Sequence, residues 1–309
     1  MIFHRSAAGT LRWAISVAAL GLAIACSSSP AGPSPGPGTP PPTGNNPLTG
    51  QTVVALGVGD IGMCNQPGVA QTARLVAGLE GMLLLAGDIA YLHGSAADFR
   101  NCFNPEWGRF RSRWHPVPGN HEYETPGAAG YFDYFGAAAG EDRTGYYSFM
   151  AGDWLILMLN SNIPAGRNSA QWEFVRAELN AQRTPCTMAV WHHPLFTSGP
   201  NGPNPFMRDM WALLETAKVE LILNGHDHLY ERFARQMSDG RADPALGIRQ
   251  LTAGTGGAEL YRFVRAAQNS EERIMEFGVV RLTLRPAQVD WEFLNLSGTA
   301  VDRGLDTCR

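Results

Sequence analysis

The stretch Gly-His-Asp-His at residues 225–228 constrains the fold of this chain more than any other. It follows, after one asparagine, an apolar and β-branched run at 219–223, and the length and composition of that run predict a strand. Side chains at positions i and i+2 of an extended segment share a face. We therefore expect His226 and His228 to converge on one point, or on two neighbouring points, at the end of this strand.

The same order of strand, glycine and metal-competent side chain occurs three more times. Predicted strands 53–58, 82–86 and 115–118 each end at a glycine, and a fifth strand, 187–191, runs directly into two histidines. The side chains that follow these strand ends are Asp60, Asp88, Tyr91, Asn120, His121, His192 and His193. Ligands of an open α/β sheet collect outside the carboxyl ends of its strands. The chemistry of this chain is therefore expected at that edge.

The donors at these strand ends suit a pair of metal ions. Two cations held about 3.5–4 Å apart need a bridging ligand and a mixture of oxygen and nitrogen donors. The candidates are Asp60, Asp88, Tyr91, Asn120, His192, His226 and His228. Such a pair lowers the pKa of bound water, orients a phosphate and neutralises charge in an in-line displacement. A single Gly-Asp or a single histidine is weak evidence, but five strand ends together predict a two-metal site.

The net charge and the motifs present give no support to two other classes of function. The net charge is −4 and the pI is near 6.1, which gives no electrostatic reason to expect a nucleic-acid partner. The region 51–309 contains no Gly-x-Ser-x-Gly motif, so a serine hydrolase of that type finds no support.

The first 50 residues differ in kind from the rest. Residues 1–26 have a basic start, a short apolar core and small residues before Cys26, which is the layout of a secretory signal. We favour the lipoprotein type with Cys26 lipidated, and the alternative is ordinary cleavage nearby. The composition of residues 27–50 predicts a Pro/Gly/Ser-rich linker. We expect residues 51–309 to form the catalytic domain. If Cys26 is lipidated, we expect the protein at the outer membrane or the cell surface. If it is not, we expect a periplasmic or secreted protein. The lipid is the only membrane contact that we expect.

Export places the remaining four cysteines in an oxidising compartment. Four cysteines allow three pairings, and spacing alone does not choose among them. Cys64 and Cys102 each follow a loop of the predicted site, whereas Cys186 and Cys308 lie at a strand start and at the C-terminus. We favour the pairs 64–102 and 186–308.

Periodicity predicts an α/β fold. The pattern predicts a parallel βαβ unit made of a strand at 52–58, a helix at 67–80 and a strand at 82–86. It also predicts a loop at 92–104 and an irregular insertion rich in aromatic residues at 123–145. The segments predicted to be antiparallel strands near the C-terminus are 248–253, 274–284 and 287–294. The two halves therefore predict two mixed sheets with helices outside.

The five motifs at the predicted strand ends resemble, as a set, those of a known protein family. They read, in chain order, Gly-Asp-Ile-Gly, Gly-Asp-Ile-Ala-Tyr, Gly-Asn-His-Glu, Trp-His-His-Pro and Gly-His-Asp-His-Leu-Tyr-Glu-Arg. Over roughly residues 52–295 the chain resembles the calcineurin-like metallophosphoesterases, and more narrowly the purple acid phosphatases. Many members of the wider superfamily have Asp-x-His in the first motif, but here Ile61 and Gly62 follow Asp60. The resemblance implies a four-layer α-β-β-α sandwich of two mixed β-sheets flanked by helices.

The resemblance also implies a role for each site residue. The ligands of the first metal would be Asp60, Asp88, Tyr91 and His228, with ferric iron bound and Asp88 bridging. The ligands of the second metal would be Asn120, His192 and His226, with Fe²⁺, Zn²⁺ or Mn²⁺ bound. His121 would protonate the leaving-group oxygen or steady the phosphoryl group, and a metal-activated hydroxide would attack phosphorus.

The function that this implies is hydrolysis of phosphate esters, with small phosphomonoesters as the favoured substrates. One alternative is a phosphodiesterase or nucleotidase that uses the same metal centre. Another is a surface binding protein that keeps the metals without turnover, although an intact His121 argues against it.

Several further residues have two interpretations each. His193 either hydrogen-bonds substrate or packs, His93 is an exposed loop residue or a substrate contact, and Glu231 and Arg232 brace the His226 loop. Trp107, Tyr123 and Phe196 line the pocket or pack in the core. The plant-type enzymes carry further histidines after the His-x-Pro motif, and Asn201 and Arg208 are candidates to replace them.

Overall fold

The computed structural model describes residues 49–181 and 186–309. The predicted signal at 1–26 and nearly all of the predicted linker at 27–50 lie outside the described residues. Within the described ranges, every helix is too short or too polar to cross a membrane.

The described residues form two sheets and a set of mostly short helices. The strands are β1 (Val53–Val58), β2 (Met82–Ala86), β3 (Trp114–Val117), β4 (Tyr147–Ala151), β5 (Trp154–Met158), β6 (Cys186–Val190), β7 (Leu221–Asn224), β8 (Tyr230–Phe233), β9 (Arg249–Ala253), β10 (Ser270–Ile274), β11 (Gly278–Arg285), β12 (Gln288–Asn295) and β13 (Ala300–Thr307). The helices are α1 (Pro67–Ala77), α2 (Ala96–Asp98), α3 (Asn104–Trp107), α4 (Asn120–Tyr123), α5 (Ala129–Phe135), α6 (Ala170–Ala181) and α7 (Arg208–Thr216).

Both sheets are mixed, as the sequence predicts. The first has six strands in the order β13-β12-β11-β1-β2-β3, and the second has seven in the order β10-β8-β9-β7-β6-β5-β4. Strands β1, β2 and β3 are parallel. Strand β11 pairs antiparallel with β1, β12 with β11, and β13 with β12. In the second sheet β5, β6, β7 and β9 are parallel. The carboxyl ends of each parallel set therefore lie at one edge.

Alternating side chains build the four layers. In β2, Leu84 and Ala86 belong to a core cluster shared with the second sheet, whereas Leu83 and Leu85 pack against the helices outside the first sheet. In β7, Ile222 packs outward in the cluster that contains α7 residues. Because successive strand side chains point to opposite faces, each sheet has one face on its partner and one under helices. The predicted α-β-β-α sandwich is confirmed.

Two local predictions are wrong. Residues 92–104 are a predicted loop, but α2, a π-helical turn at Phe99–Phe103 and α3 occupy most of the segment. The cause is a capping box: Ser95 accepts a hydrogen bond from the backbone N–H of Asp98, and Asp98 accepts one from the N–H of Ser95, each at 3.1 Å. The insertion at 123–145 packs its aromatics as predicted, but it contains α5 rather than only irregular chain.

Both favoured disulfide pairs are confirmed. Cys64–Cys102 fastens the loop after β1 to the π-helical turn, and Cys186–Cys308 joins the start of β6 to the chain end after β13. The second disulfide therefore links the two sheets covalently.

Candidate metal centre

The loops after β1, β2 and β7 bend back sharply towards the strand ends. Asp60, Asp88 and His226 have φ values of 59°, 47° and 73°, in the left-handed region that costs a non-glycine residue roughly 1–3 kcal/mol. Hydrogen bonds between the loops hold this backbone in place. The backbone N–H of Asp60 donates to Gly87 O at 3.0 Å, and that of His226 donates to Asp60 Oδ2 at 2.8 Å. These hydrogen bonds between neighbouring loops therefore stabilise the conformation of each loop.

Four predicted ligands form a group that we call the tyrosine site, comprising Asp60, Asp88, Tyr91 and His228. Tyr91 Oη lies 2.9 Å from Asp60 Oδ1, 3.2 Å from Asp88 Oδ2 and 3.0 Å from His228 Nε2. His228 Nδ1 is 2.6 Å from the carbonyl oxygen of Glu259, and Tyr261 stacks on its ring at 3.9 Å between centroids. A carbonyl oxygen only accepts, so the proton of neutral His228 stays on Nδ1 and its Nε2 lone pair faces the site.

The remaining three predicted ligands form the histidine site, comprising Asn120, His192 and His226. His192 Nε2 lies 3.1 Å from Asn120 Oδ1 and 3.3 Å from His226 Nδ1. Its Nδ1 is 2.8 Å from the carbonyl oxygen of Ala86. The same tautomer argument therefore aims the Nε2 lone pair of neutral His192 at its neighbours.

One carboxylate connects the two sites. Asp88 Oδ2 lies 3.2 Å from Tyr91 Oη and 3.2 Å from His192 Nε2, and Asp88 Oδ1 accepts the backbone N–H of His121 at 2.9 Å. Burial alone would raise the pKa of Asp88, but His192 and His121 more than offset it and the pKa is lowered. Asp88 is therefore ionised, buried and placed between two groups of donors.

The charge states of the other donors follow from burial and from Asp88. Burial opposes protonation of His192, but its pairing with Asp88 raises the pKa to about 9. Burial and the neighbouring His192 lower the pKa of His226 to about 2. Burial, then Asp60 and Asp88, raise the pKa of Tyr91 well above its usual value. A phenolate at Tyr91 therefore requires a cation beside it.

The donor set fits a pair of cations. Donor atoms about 3 Å apart are what neighbouring ligands show around one ion with bonds of about 2.1 Å. Ligand atoms of Asp60, Asp88 and His192 lie within 4.8 Å of one another, as do those of His192, His193 and His226. The tyrosine site offers mainly oxygen donors and the histidine site mainly nitrogen donors, so the two sites favour cations of different hardness.

His121 lies at the rim of the centre. Its side chain is 26% exposed, its Nε2 is 3.8 Å from Asp88 Oδ2, and its Nδ1 is 2.5 Å from the carbonyl oxygen of Leu92. Because that carbonyl only accepts, Nδ1 carries a proton and Nε2 is left for chemistry at the site. This residue faces the centre and also reaches solvent.

Sequence reasoning missed Glu122. This fully buried carboxylate accepts the backbone N–H groups of Ile89, Ala90 and Gly119 at 2.8, 3.1 and 2.7 Å. It therefore ties the loop that carries Asp88 to the loop that carries Asn120. Its place in Gly-Asn-His-Glu was visible in the sequence, but its distant partners were not.

The structure gives specific contacts to the residues that had two interpretations in the sequence. His93 is exposed and lies 3.0 Å from Glu124, and Arg208 donates to the carbonyl oxygen of Ser238. Trp107 and Phe196 pack in the outer core clusters, and Tyr123 accepts a hydrogen bond from Asn160. Glu231 accepts hydrogen bonds from Ser198 and Ser270. Arg232 forms ion pairs with Asp302 and Glu271. The side chain of Asn201 donates a hydrogen bond to the carbonyl oxygen of His226. Of this set, Asn201 bonds directly to a predicted ligand.

Comparisons with known proteins identify a family for this chain. The family model for calcineurin-like phosphoesterases matches residues 55–230. The chain is 26% identical over 237 residues to purple acid phosphatase 15 of Arabidopsis thaliana, covering 65% of this chain and 44% of that protein. It is 28% identical over 197 residues to purple acid phosphatase 18 of the same plant, covering 56% and 43%. The chain thus spans less than half the length of these curated relatives.

A solved structure shares the fold. The purple acid phosphatase from yellow lupin (Lupinus luteus) seeds superimposes with a TM-score of 0.70 at 20% identity, covering 84% of this chain and 55% of that chain.

Proposed function

This chain belongs to the calcineurin-like phosphoesterase family, in its purple acid phosphatase-like branch, and we propose on that premise that it hydrolyses phosphate esters, above all small phosphomonoesters. The observation that carries the proposal is the position of Asp88 Oδ2, 3.2 Å from a donor of each site. The relatives' names as phosphatases support the choice of substrate class.

The proposed centre assigns seven residues to two cations. Asp60, Asp88, Tyr91 and His228 hold the first cation, Asn120, His192 and His226 hold the second, and Asp88 is shared. When bound, a pair of cations supplies positive charge for a phosphoryl group and lowers the pKa of water. Glu122 keeps the two ligand-bearing loops in register, because its three accepted N–H groups come from both of them.

His121 is the proposed proton donor to the leaving group. Its Nδ1–H bond to the Leu92 carbonyl fixes the ring, and its Nε2 lies 3.8 Å from Asp88 Oδ2 at the shared carboxylate. An imidazolium can pass its Nε2 proton to the departing oxygen or hold the phosphoryl group by the same N–H.

The proposed metal pair is ferric iron at the tyrosine site with Fe²⁺, Zn²⁺ or Mn²⁺ at the histidine site. Phenol and carboxylate oxygens suit a hard cation, and imidazoles suit a softer one. Burial and the neighbouring Asp60 and Asp88 raise the pKa of Tyr91, so its phenolate form needs a cation beside it.

The proposed location is outside the cytoplasm. Residues 1–26 act as a signal, of the lipoprotein type if Cys26 is modified, and residues 27–50 tether the domain at 51–309. The two disulfides support export, since such bonds persist in oxidising compartments.

The test is hydrolysis of p-nitrophenyl phosphate by Asp88→Ala and Asn120→Ala variants. Both should lose activity, whereas Asp133→Ala, which removes an exposed carboxylate paired with Arg143, should keep it. Full activity in either site variant would overturn the mechanism. Faster turnover of bis(p-nitrophenyl) phosphate than of the monoester would transfer the proposal to phosphodiesters.

A further inference from the structure

His193 lies beside the histidine site without belonging to the seven assigned ligands. Its ring centroid is 4.5 Å from that of His226 and 4.9 Å from that of His192. One ring nitrogen of each of these three histidines lies within 4.8 Å of the other two. His193 is only 9% exposed, so its ring is largely withdrawn from solvent. A third imidazole is therefore in reach of the second cation.

Ser161 holds the His193 ring on its other side. Ser161 Oγ accepts the backbone N–H of His193 at 3.2 Å and lies 2.8 Å from its Nδ1. A serine oxygen has two lone pairs and accepts both the backbone N–H and an Nδ1–H. In that arrangement the Nε2 lone pair of His193 is free for a metal ion. Such outer hydrogen bonds fix the tautomer of metal-binding histidines.

We propose that His193 is a third imidazole ligand of the second cation. The inference rests on the proposed metal centre and extends it to the choice of metal. Imidazole nitrogen suits Zn²⁺ and Fe²⁺, whereas Mn²⁺ and Mg²⁺ prefer oxygen. A third imidazole thus selects Zn²⁺ or Fe²⁺ over Mn²⁺ at the histidine site.

The experiment measures Zn²⁺ and Mn²⁺ affinity of the second site by competition with a chromogenic chelator. His193→Gln replaces a nitrogen donor with a similar-sized amide that offers oxygen. We expect at least a tenfold loss of Zn²⁺ affinity and a smaller change for Mn²⁺. Ser161→Ala should weaken Zn²⁺ about tenfold through the lost orientation. His93→Gln, which changes an exposed histidine, should leave both affinities unchanged.

A spectroscopic count separates ligand loss from general damage. In the Co²⁺-loaded protein, proton NMR should show hyperfine-shifted imidazole signals from four histidines in the wild type and from three in His193→Gln. Unchanged Zn²⁺ affinity in His193→Gln, or equal losses for Zn²⁺ and Mn²⁺, would overturn the proposal. A wild type that binds two cations and hydrolyses esters alongside either result rejects only the His193 role. A wild type that binds no cation pair rejects the proposed function as well.

Discussion

Gly119 is the position where one added methyl group should disable the centre. Its φ of −101° and ψ of −172° suit any residue, so an alanine there meets no backbone strain. The added Cβ would lie 2.1 Å from Asp88 Oδ1 and 2.3 Å from Asp88 N. Because real Cβ contacts almost never fall under 3.0 Å, Asp88 or the strand end must move by roughly 1 Å. The shared carboxylate is the atom group that the substitution displaces.

The expected cost of Gly119→Ala has two parts. Overpacking costs about 1–3 kcal/mol, and weakening the 2.9 Å bond between His121 N–H and Asp88 Oδ1 adds about 1 kcal/mol or more. We therefore expect the free energy of unfolding to fall by about 2–4 kcal/mol. A displacement of about 1 Å at a reacting centre costs on the order of 100-fold in rate.

Urea unfolding in excess chelator measures the stability change, and hydrolysis of p-nitrophenyl phosphate measures the rate. Gly78→Ala is the control, because its Cβ would meet only Leu75 O at an ordinary 3.5 Å, and it should change stability by about 0.5 kcal/mol or less. The reasoning is refuted if Gly119→Ala unfolds like Gly78→Ala and keeps activity within about threefold of the wild type.

Three further predictions concern a proton donor, a buried base and a cross-link. His121→Ala should lower kcat by about 10²–10⁴-fold for an alkyl phosphate and by less for p-nitrophenyl phosphate, whose leaving group needs no proton; equal losses on both would contradict the role. Burial lowers the pKa of His115 from 6.5 to about 4, so stability is lost as pH falls from about 6.5 to about 4. In urea unfolding at pH 7 and pH 4.5, His115→Leu should reduce the acid loss of unfolding free energy by up to about 2.5 kcal/mol. An equal acid loss in both proteins would show that this ring does not titrate as described. The double variant Cys186→Ser/Cys308→Ser removes a disulfide between residues 122 positions apart in sequence. The free energy of unfolding should therefore fall by about 3–5 kcal/mol. An unchanged urea midpoint would count against this.

The site was predictable because its signals are local. Each predicted ligand follows the end of a strand by one or a few residues, and all but His192 also follow a glycine. A motif and a strand therefore suffice to place each of them. The parallel order of strands then brings separate motifs together at one sheet edge. The family resemblance drawn from these motifs is confirmed by the match over residues 55–230. Local chemistry thus predicted seven donors, and the structure brings these side chains together at that edge.

What could not be predicted depends on distant partners. Strand β13 (Ala300–Thr307) has little apolar character, and its buried Asp302 and Asp306 are matched by arginines from elsewhere in the chain. Asp302 accepts from Arg232 at 2.8 Å, and Asp306 accepts from Arg249 at 2.5 Å. Ion pairs here replace the alternating apolar face that identifies a strand, so periodicity gave no signal. Glu122 was missed for the same reason, since its accepted N–H groups at Ile89 and Ala90 come from another loop.

The central claim is that one buried carboxylate organises a two-cation centre with a tyrosine ligand. Its most direct test is elemental analysis of the folded domain from residue 50 onward, purified and then reconstituted with iron and zinc, with a visible spectrum of the same sample. We predict two cations per chain, one of them iron, and a visible absorption band that disappears in Tyr91→Phe. A chain that retains no cation after reconstitution would contradict the account.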